Sequence, residues 1–140
     1  VSFLGSIYGD REKILRSIKA PLKVSSNSFG EAHSEIVQRS KINLNMCTAD
    51  GASDRVYKIL AEEGFLLTND WIGRESIFED GVDLVIFTSI EDLNTKIEYY
   101  LQNDDRRSII ANHGYETNKK FSRVNWAKNI LNIVNSCEEN

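Results

Sequence analysis

The residues with the clearest chemical potential lie between Thr48 and Gly64. There a loop of small and polar side chains, Cys47-Thr48-Ala49-Asp50-Gly51-Ala52-Ser53, runs directly into a helical pattern. The first amides of a helix have no intrahelical partner, and its macrodipole places about half a positive charge at that end, so the junction suits a phosphate. Arg55, one residue into the helix, adds a fixed cation. A plain helix start accounts for the same residues, with Ser53 or Asp54 as its N-cap, and Asp54 would repel an anion. Gly5-Ser6, after the first apolar run, is a second place where backbone can approach a phosphate. It carries neither GxGxxG nor GxxxxGK[ST], which disfavours a dinucleotide or ATP site of those kinds and leaves an ordinary turn.

Few other side chains are spaced for chemistry. His33 and His113 each sit in a helical pattern with no second ligand four residues on, which reads as satisfied or solvent-facing histidine rather than a metal ligand or general base. Cys47 and Cys137 are far apart and outside any CxxC, so two reduced thiols are expected and no metal site is suggested. The doublets Glu62-Glu63, Asp104-Asp105 and Arg106-Arg107 read as solvated faces. Trp71, Trp126 and Tyr99-Tyr100 fit helix packing or a surface loop.

The elements that must position these residues alternate in type. Strands are expected at 1–4, 22–25, 41–46, 65–68 and 82–87, the third with Ile42, Leu44 and Met46 on one side. Between them fall helical patterns: Ile14, Leu15 and Ile18 before Pro21, then Ala32, Ile36 and Val37 within 30–40, then Val56, Ile59 and Leu60 within 54–63. Gly64 fits the left-handed position past that third helix, and one or two helical turns are expected at 73–78. Ser89 reads as the N-cap of a long amphipathic helix carrying Ile90, Leu93, Ile97, Tyr100 and Leu101. Helices at 104–120 and 123–135 follow, the last with Val124, Ala127, Ile130, Leu131 and Val134 at three- and four-residue steps. Strands alternating with helices imply an α/β fold, a doubly wound, Rossmann-like parallel sheet of about five strands with helices on both faces. In such sheets ligands sit beyond the carboxyl ends of the strands where strand order reverses, which singles out the loops after Leu4, Met46 and Phe87.

A chain of 140 residues with 41% apolar and 27% charged residues fits one domain, 1–140, with an ordered core. Its net charge of −4 argues against a broad nucleic-acid or anionic-membrane footprint. No apolar run approaches a membrane span and no signal peptide is visible, so a cytoplasmic protein is expected. The sequence opens with Val1 inside a strand-like run, as an excised piece of a longer protein would.

Taken in order, Lys41-Ile42-Asn43-Leu44-Asn45, then Ser53-Asp54-Arg55-Val56-Tyr57-Lys58-Ile59-Leu60-Ala61-Glu62-Glu63-Gly64, then Phe65-Leu66-Leu67-Thr68 resemble the carboxy-terminal half of group 1-type glycosyltransferases, in the spore-maturation glycosyltransferase-like branch. Phe78-Glu79-Asp80-Gly81 is similar to that family's acidic-glycine turn, Phe3-Leu4-Gly5-Ser6 with Arg11 to its opening, and the stripe from Leu93 to Leu101 with Gly114 to its closing helices. The resemblance covers nearly the whole chain. It implies one half of a GT-B fold, two facing Rossmann-like domains, in which this half grips a nucleotide-diphosphate sugar such as a UDP- or GDP-sugar and a missing amino-terminal domain receives the acceptor. It implies no divalent metal and no separate cofactor. By position, Arg55 is implied as the diphosphate contact and catalytic residue, the amides near Ser53 and Asp54 as its cap, and Gly5 and Ser6 as close neighbours.

One residue departs from the pattern. Lys58 stands where the family has a glutamate suited to the ribose hydroxyls, and an ammonium cannot accept their hydrogen bonds. Either Glu62, one turn on, holds the ribose, or Lys58 turns to phosphate, or donor binding is lost and the domain serves as a binding or interaction module. A receiver-like signalling domain is disfavoured, because no acidic pair follows the first strand and Asn45 ends the third.

Overall fold

Each strand divides its side chains between two helix layers, because successive residues of a pleated strand point to opposite faces. The computed structural model describes residues 1–48 and 50–138, so Ala49 of the phosphate-directed loop and the thiol of Cys137 lie outside the described part. The elements run β1 (Ser2–Leu4), α1 (Arg11–Arg16), β2 (Lys23–Ser25), α2 (Glu31–Arg39), β3 (Asn43–Asn45), α3 (Asp54–Ala61), β4 (Leu66–Asn69), a 3-10 turn (Arg74–Ser76), β5 (Val85–Phe87), α4 (Ile90–Gln102), α5 (Asp104–Asn118), a second 3-10 turn (Lys119–Phe121) and α6 (Arg123–Glu138). The five strands form one sheet in the order β2-β1-β3-β4-β5, parallel throughout, which is the Rossmann-like α/β architecture the alternation implied.

On one face Phe3, Leu44, Leu67 and Val85 pack with Leu15 of α1, Leu93, Ile97 and Tyr100 of α4, and Ile110 of α5. On the other, Leu4, Leu66 and Ile86 pack with Val37 of α2 and with Val56, Ile59 and Leu60 of α3. Neighbours such as Phe3 and Leu4, or Leu66 and Leu67, therefore serve opposite cores, and the strands need apolar residues in succession. β1 leads through α1 to β2 on one flank, while β3 on the other flank begins the run to β5. Strand order thus reverses between β1 and β3, and the loops leaving these two strands open the crevice where α/β sheets hold ligands.

Several details differ from the sequence expectations. The left-handed residue after α3 is Glu63, at φ 54°, not Gly64. Gly64 is needed for space instead: a Cβ there would stand 2.6 Å from Val37 Cγ1 and 2.9 Å from Ile59 Cγ2. Arg107 is buried rather than solvated, donating to the Tyr100 carbonyl and the Asp104 carboxylate. Ser89 caps α4 as expected, its hydroxyl accepting from the Asp92 amide at 3.0 Å. The stripe on α6 does not enter the core: Val124 and Leu131 are 63% and 60% exposed, and the helix packs mainly on the 3-10 turn that precedes it.

Candidate functional site

The corner at the strand-order reversal is built around Gly5. Its φ of 152° and its position both require glycine, since a Cβ would lie 1.6 Å from Arg55 Nη1. Its amide donates to the Ser25 carbonyl at 2.8 Å, tying the end of β1 to the end of β2. Arg55, at the second position of α3, reaches across and donates from Nη1 to the Leu4 carbonyl at 2.8 Å, with its guanidinium 5.7 Å from the Phe3 ring centre. Arg11 is buried nearby and donates to the carbonyls of Ser6 at 3.0 Å and Met46 at 2.8 Å, its guanidinium 3.9 Å from the centre of the Tyr8 ring.

Neither arginine has a carboxylate partner among the described residues. Burial first, and Arg11 second, hold the Arg55 pKa below the usual arginine value, and an arginine so shifted is still charged at neutral pH. Two cations that repel each other are thus held by backbone oxygens without an ion pair, although the carboxylates of Asp54 and Asp10 border the neighbouring cavities.

The start of α3 is open as well. Ser53 occupies the N-cap position but makes no side-chain cap; its hydroxyl donates to Asn45 Oδ1 at 3.1 Å. Asn45 in turn donates from Nδ2 to Cys47 Sγ at 3.1 Å and Thr68 Oγ1 at 3.3 Å. This neutral network closes the carboxyl end of β3 and draws away the side chain that would otherwise cover the first amides of α3.

A cavity of about 390 Å³ lies against this corner. Six of the seven candidate residues border it: Gly5, Ser6, Ser53, Asp54, Arg55 and Lys58. Glu62 does not, because its carboxylate accepts from Ser34 at 2.6 Å and from Gln38 at 3.4 Å on α2. Lys58 is exposed at the rim, and its ammonium makes no hydrogen bond or ion pair with any described residue. The opposite wall comes from the segment between β2 and α2, with Ser25, Ser28, Phe29 and His33.

His33 overturns its expected role. It is buried, its Nε2 has no hydrogen-bond partner, and it borders the cavity rather than facing solvent or filling a satisfied core position. Burial and then Lys58 push its pKa down; Glu62 opposes this and Arg55 adds to it, so the imidazole is neutral near pH 7. His33, Ser25 and Ser28 were missed as site residues because no spacing within the sequence reports that the segment between β2 and α2 faces the start of α3, and Arg11 was noted in the resemblance without a site role. Only the serine-rich run Ser25-Ser26-Asn27-Ser28 hinted at an anion-facing loop.

A second cavity, of about 290 Å³, lies against Tyr8, Asp10, Arg11, Thr48 and Asn69. No group of three or more histidine, cysteine or acidic side chains able to hold a metal occurs among the described residues.

A family model described as glycosyl transferase-like matches residues 3–132, from β1 into α6. The chain belongs to the glycosyl transferase-like family. A search of the curated proteins found no match. The matched span of this glycosyl transferase-like domain contains both arginines, the Gly5 corner and both cavities, and the family gives glycosyl transfer as the general role, with a sugar donor as partner. No helix among the described residues is long and apolar enough to cross a membrane.

Proposed function

We propose that the domain is the donor-binding half of a GT-B glycosyltransferase and holds the diphosphate of a nucleotide sugar at the Gly5 corner. The observation that carries this reading is the pair of arginines, Arg11 and Arg55, fixed to backbone carbonyls with no carboxylate to neutralise them. Protein interiors rarely leave charge so placed unless a ligand completes it. Gly5 and Ser6 bring backbone close to the phosphates on one side, and the uncapped amides at Ser53 and Asp54 meet them on the other.

Transfer breaks the bond between the sugar's anomeric carbon and the terminal phosphate oxygen, and negative charge grows on the departing diphosphate. Arg55 and the first amides of α3 are already aimed at that charge, so they stabilise the transition state more than the bound donor. In this reading the acceptor and the group that takes its proton come from a second Rossmann-like domain.

Calorimetry of the protein with UDP, GDP and their sugars at millimolar concentration tests the proposal. Binding is expected, and Arg55→Gln should weaken it by tenfold or more, about 1.4 kcal/mol or above for a lost charge-assisted hydrogen bond. Absence of binding to all of them sinks the reading. The unpartnered Lys58 favours a second reading, a degenerate domain retained for contact with another molecule. Appearance of nucleotide binding only in Lys58→Glu would support that alternative, whereas loss of existing binding in the same variant makes Lys58 a ligand contact.

A further inference from the structure

Of the residues bordering the Arg55 cavity, His33 is the one whose buried polar atom the protein leaves unmet. The residue is 9% exposed, and its Nε2 has no hydrogen-bond partner among the described residues. A neutral imidazole donates from one nitrogen and accepts at the other, whereas an imidazolium donates from both. With nothing to accept from Nε2, the protonated ring is the costlier form in the free protein. The surrounding charges act in the same direction. α3 presents the Lys58 ammonium, the Arg55 guanidinium and the Asp54 carboxylate at the same cavity, and Glu62, one turn on, is bonded to Ser34 and Gln38 of α2. On α2 itself Glu31 is exposed and Glu35 pairs with Arg39 at 2.8 Å. The end of β1 and the segment from β2 to α2 add only uncharged groups, among them Ser6, Ser25 and Ser28. Burial first and Lys58 second hold the ring neutral, and Glu62 opposes them only in part.

An anion beside Arg55 changes that balance. Its negative charge attracts the imidazolium, offsets the repulsion from Lys58 and Arg55, and supplies oxygen atoms able to accept from a second N–H. The free and bound states then differ by one proton, taken from solvent on binding and returned on release. Resting on the donor reading above, we propose that His33 makes the anion site proton-linked: neutral in the free protein, it takes up a proton as the diphosphate enters, so donor affinity rises as pH falls. The tie is reciprocal. Whatever protonates His33 strengthens diphosphate binding, and bound diphosphate raises the pH at which His33 titrates. Lys58 has a part in the device, because its repulsion keeps the free ring neutral and leaves the proton to be gained on binding.

The ring can be followed directly. The chain has two histidines, and His113 is exposed on α5, so His113→Gln leaves His33 as the only imidazole. Its proton resonances are recorded by NMR from about pH 5 to about pH 8, free and with saturating UDP-glucose or GDP-mannose, whose diphosphates do not titrate in that range. The free ring is expected to titrate below about pH 6.5 and the bound ring about one pH unit higher. Calorimetry should accordingly find binding roughly fivefold tighter at about pH 5.5 than at about pH 8, and no such dependence in His33→Gln. A free ring that titrates at or above about pH 6.5, a midpoint unmoved by the bound nucleotide sugar, or a pH dependence that persists in His33→Gln overturns the proton link while leaving the donor reading standing. Absence of binding to either nucleotide sugar overturns the donor reading, and the proton link with it.

Discussion

Helices α3 and α6 carry the same kind of apolar pattern and meet opposite fates. In α3, Val56, Ile59 and Leu60 are almost wholly buried against the sheet, and that burial fixes the direction in which Arg55 projects. In α6, Val124, Leu131 and Val134 lie open and nothing among the described elements covers them. A three- and four-residue spacing says that a helix has an apolar face, and only the neighbouring backbone says whether that face is filled. The functional corner is consequently as firm as the core beneath it, whereas α6 contributes little to the stability of the domain.

The largest expected effect that would sharpen this contrast is Leu60→Ala, which empties a fully buried position and should cost about 3 kcal/mol in denaturant unfolding. A loss under about 1 kcal/mol would mean that α3 is not packed as described. Gly5→Ala should follow at about 2 kcal/mol, because it forces a side chain into a left-handed backbone and against Arg55 Nη1. That variant should also lose whatever nucleotide binding the protein shows, and a stable, binding-competent Gly5→Ala would break the close-approach argument.

Next comes pH. His33 has a folded-state pKa below its ordinary value of about 6.5, so the unfolded chain takes up the proton first as pH falls. The stability contributed by neutral His33 is complete above about pH 6.5 and declines below it. Thermal melts from about pH 7.5 to 5.5 should therefore fall less steeply for His33→Gln than for the unsubstituted protein; parallel curves would remove His33 from the account. The smallest effect belongs to α6: Leu131→Ala should change stability by less than about 0.5 kcal/mol, and a core-sized loss would show that its apolar face is covered in solution.

Much of the corner was legible because its chemistry is local. Ser53, Asp54 and Arg55 are consecutive, and their place at the start of a helix after a strand followed from periodicity alone. Glu62 sits on the same helix and looked equally available, but α2 presents Ser34 and Gln38 to it, and no spacing within α3 reports that neighbour. His33 failed for the reverse reason: a lone histidine on a helix is ordinarily satisfied, and its orphaned Nε2 arises only when α2 is laid beside α3.

By itself the sequence determined the alternation of strands and helices, the parallel sheet that alternation requires, and the helix end able to meet a phosphate. These depend on periods of two and 3.6 residues and on backbone groups that every chain carries. Tertiary structure alone decided which side chains converge there: Arg11 beside Arg55, His33 across from Lys58, and a glycine at position 5 because an arginine 50 residues later occupies the space of its Cβ. Convergence across the reversal of strand order is a property of the packed sheet, and no local pattern of residues encodes it.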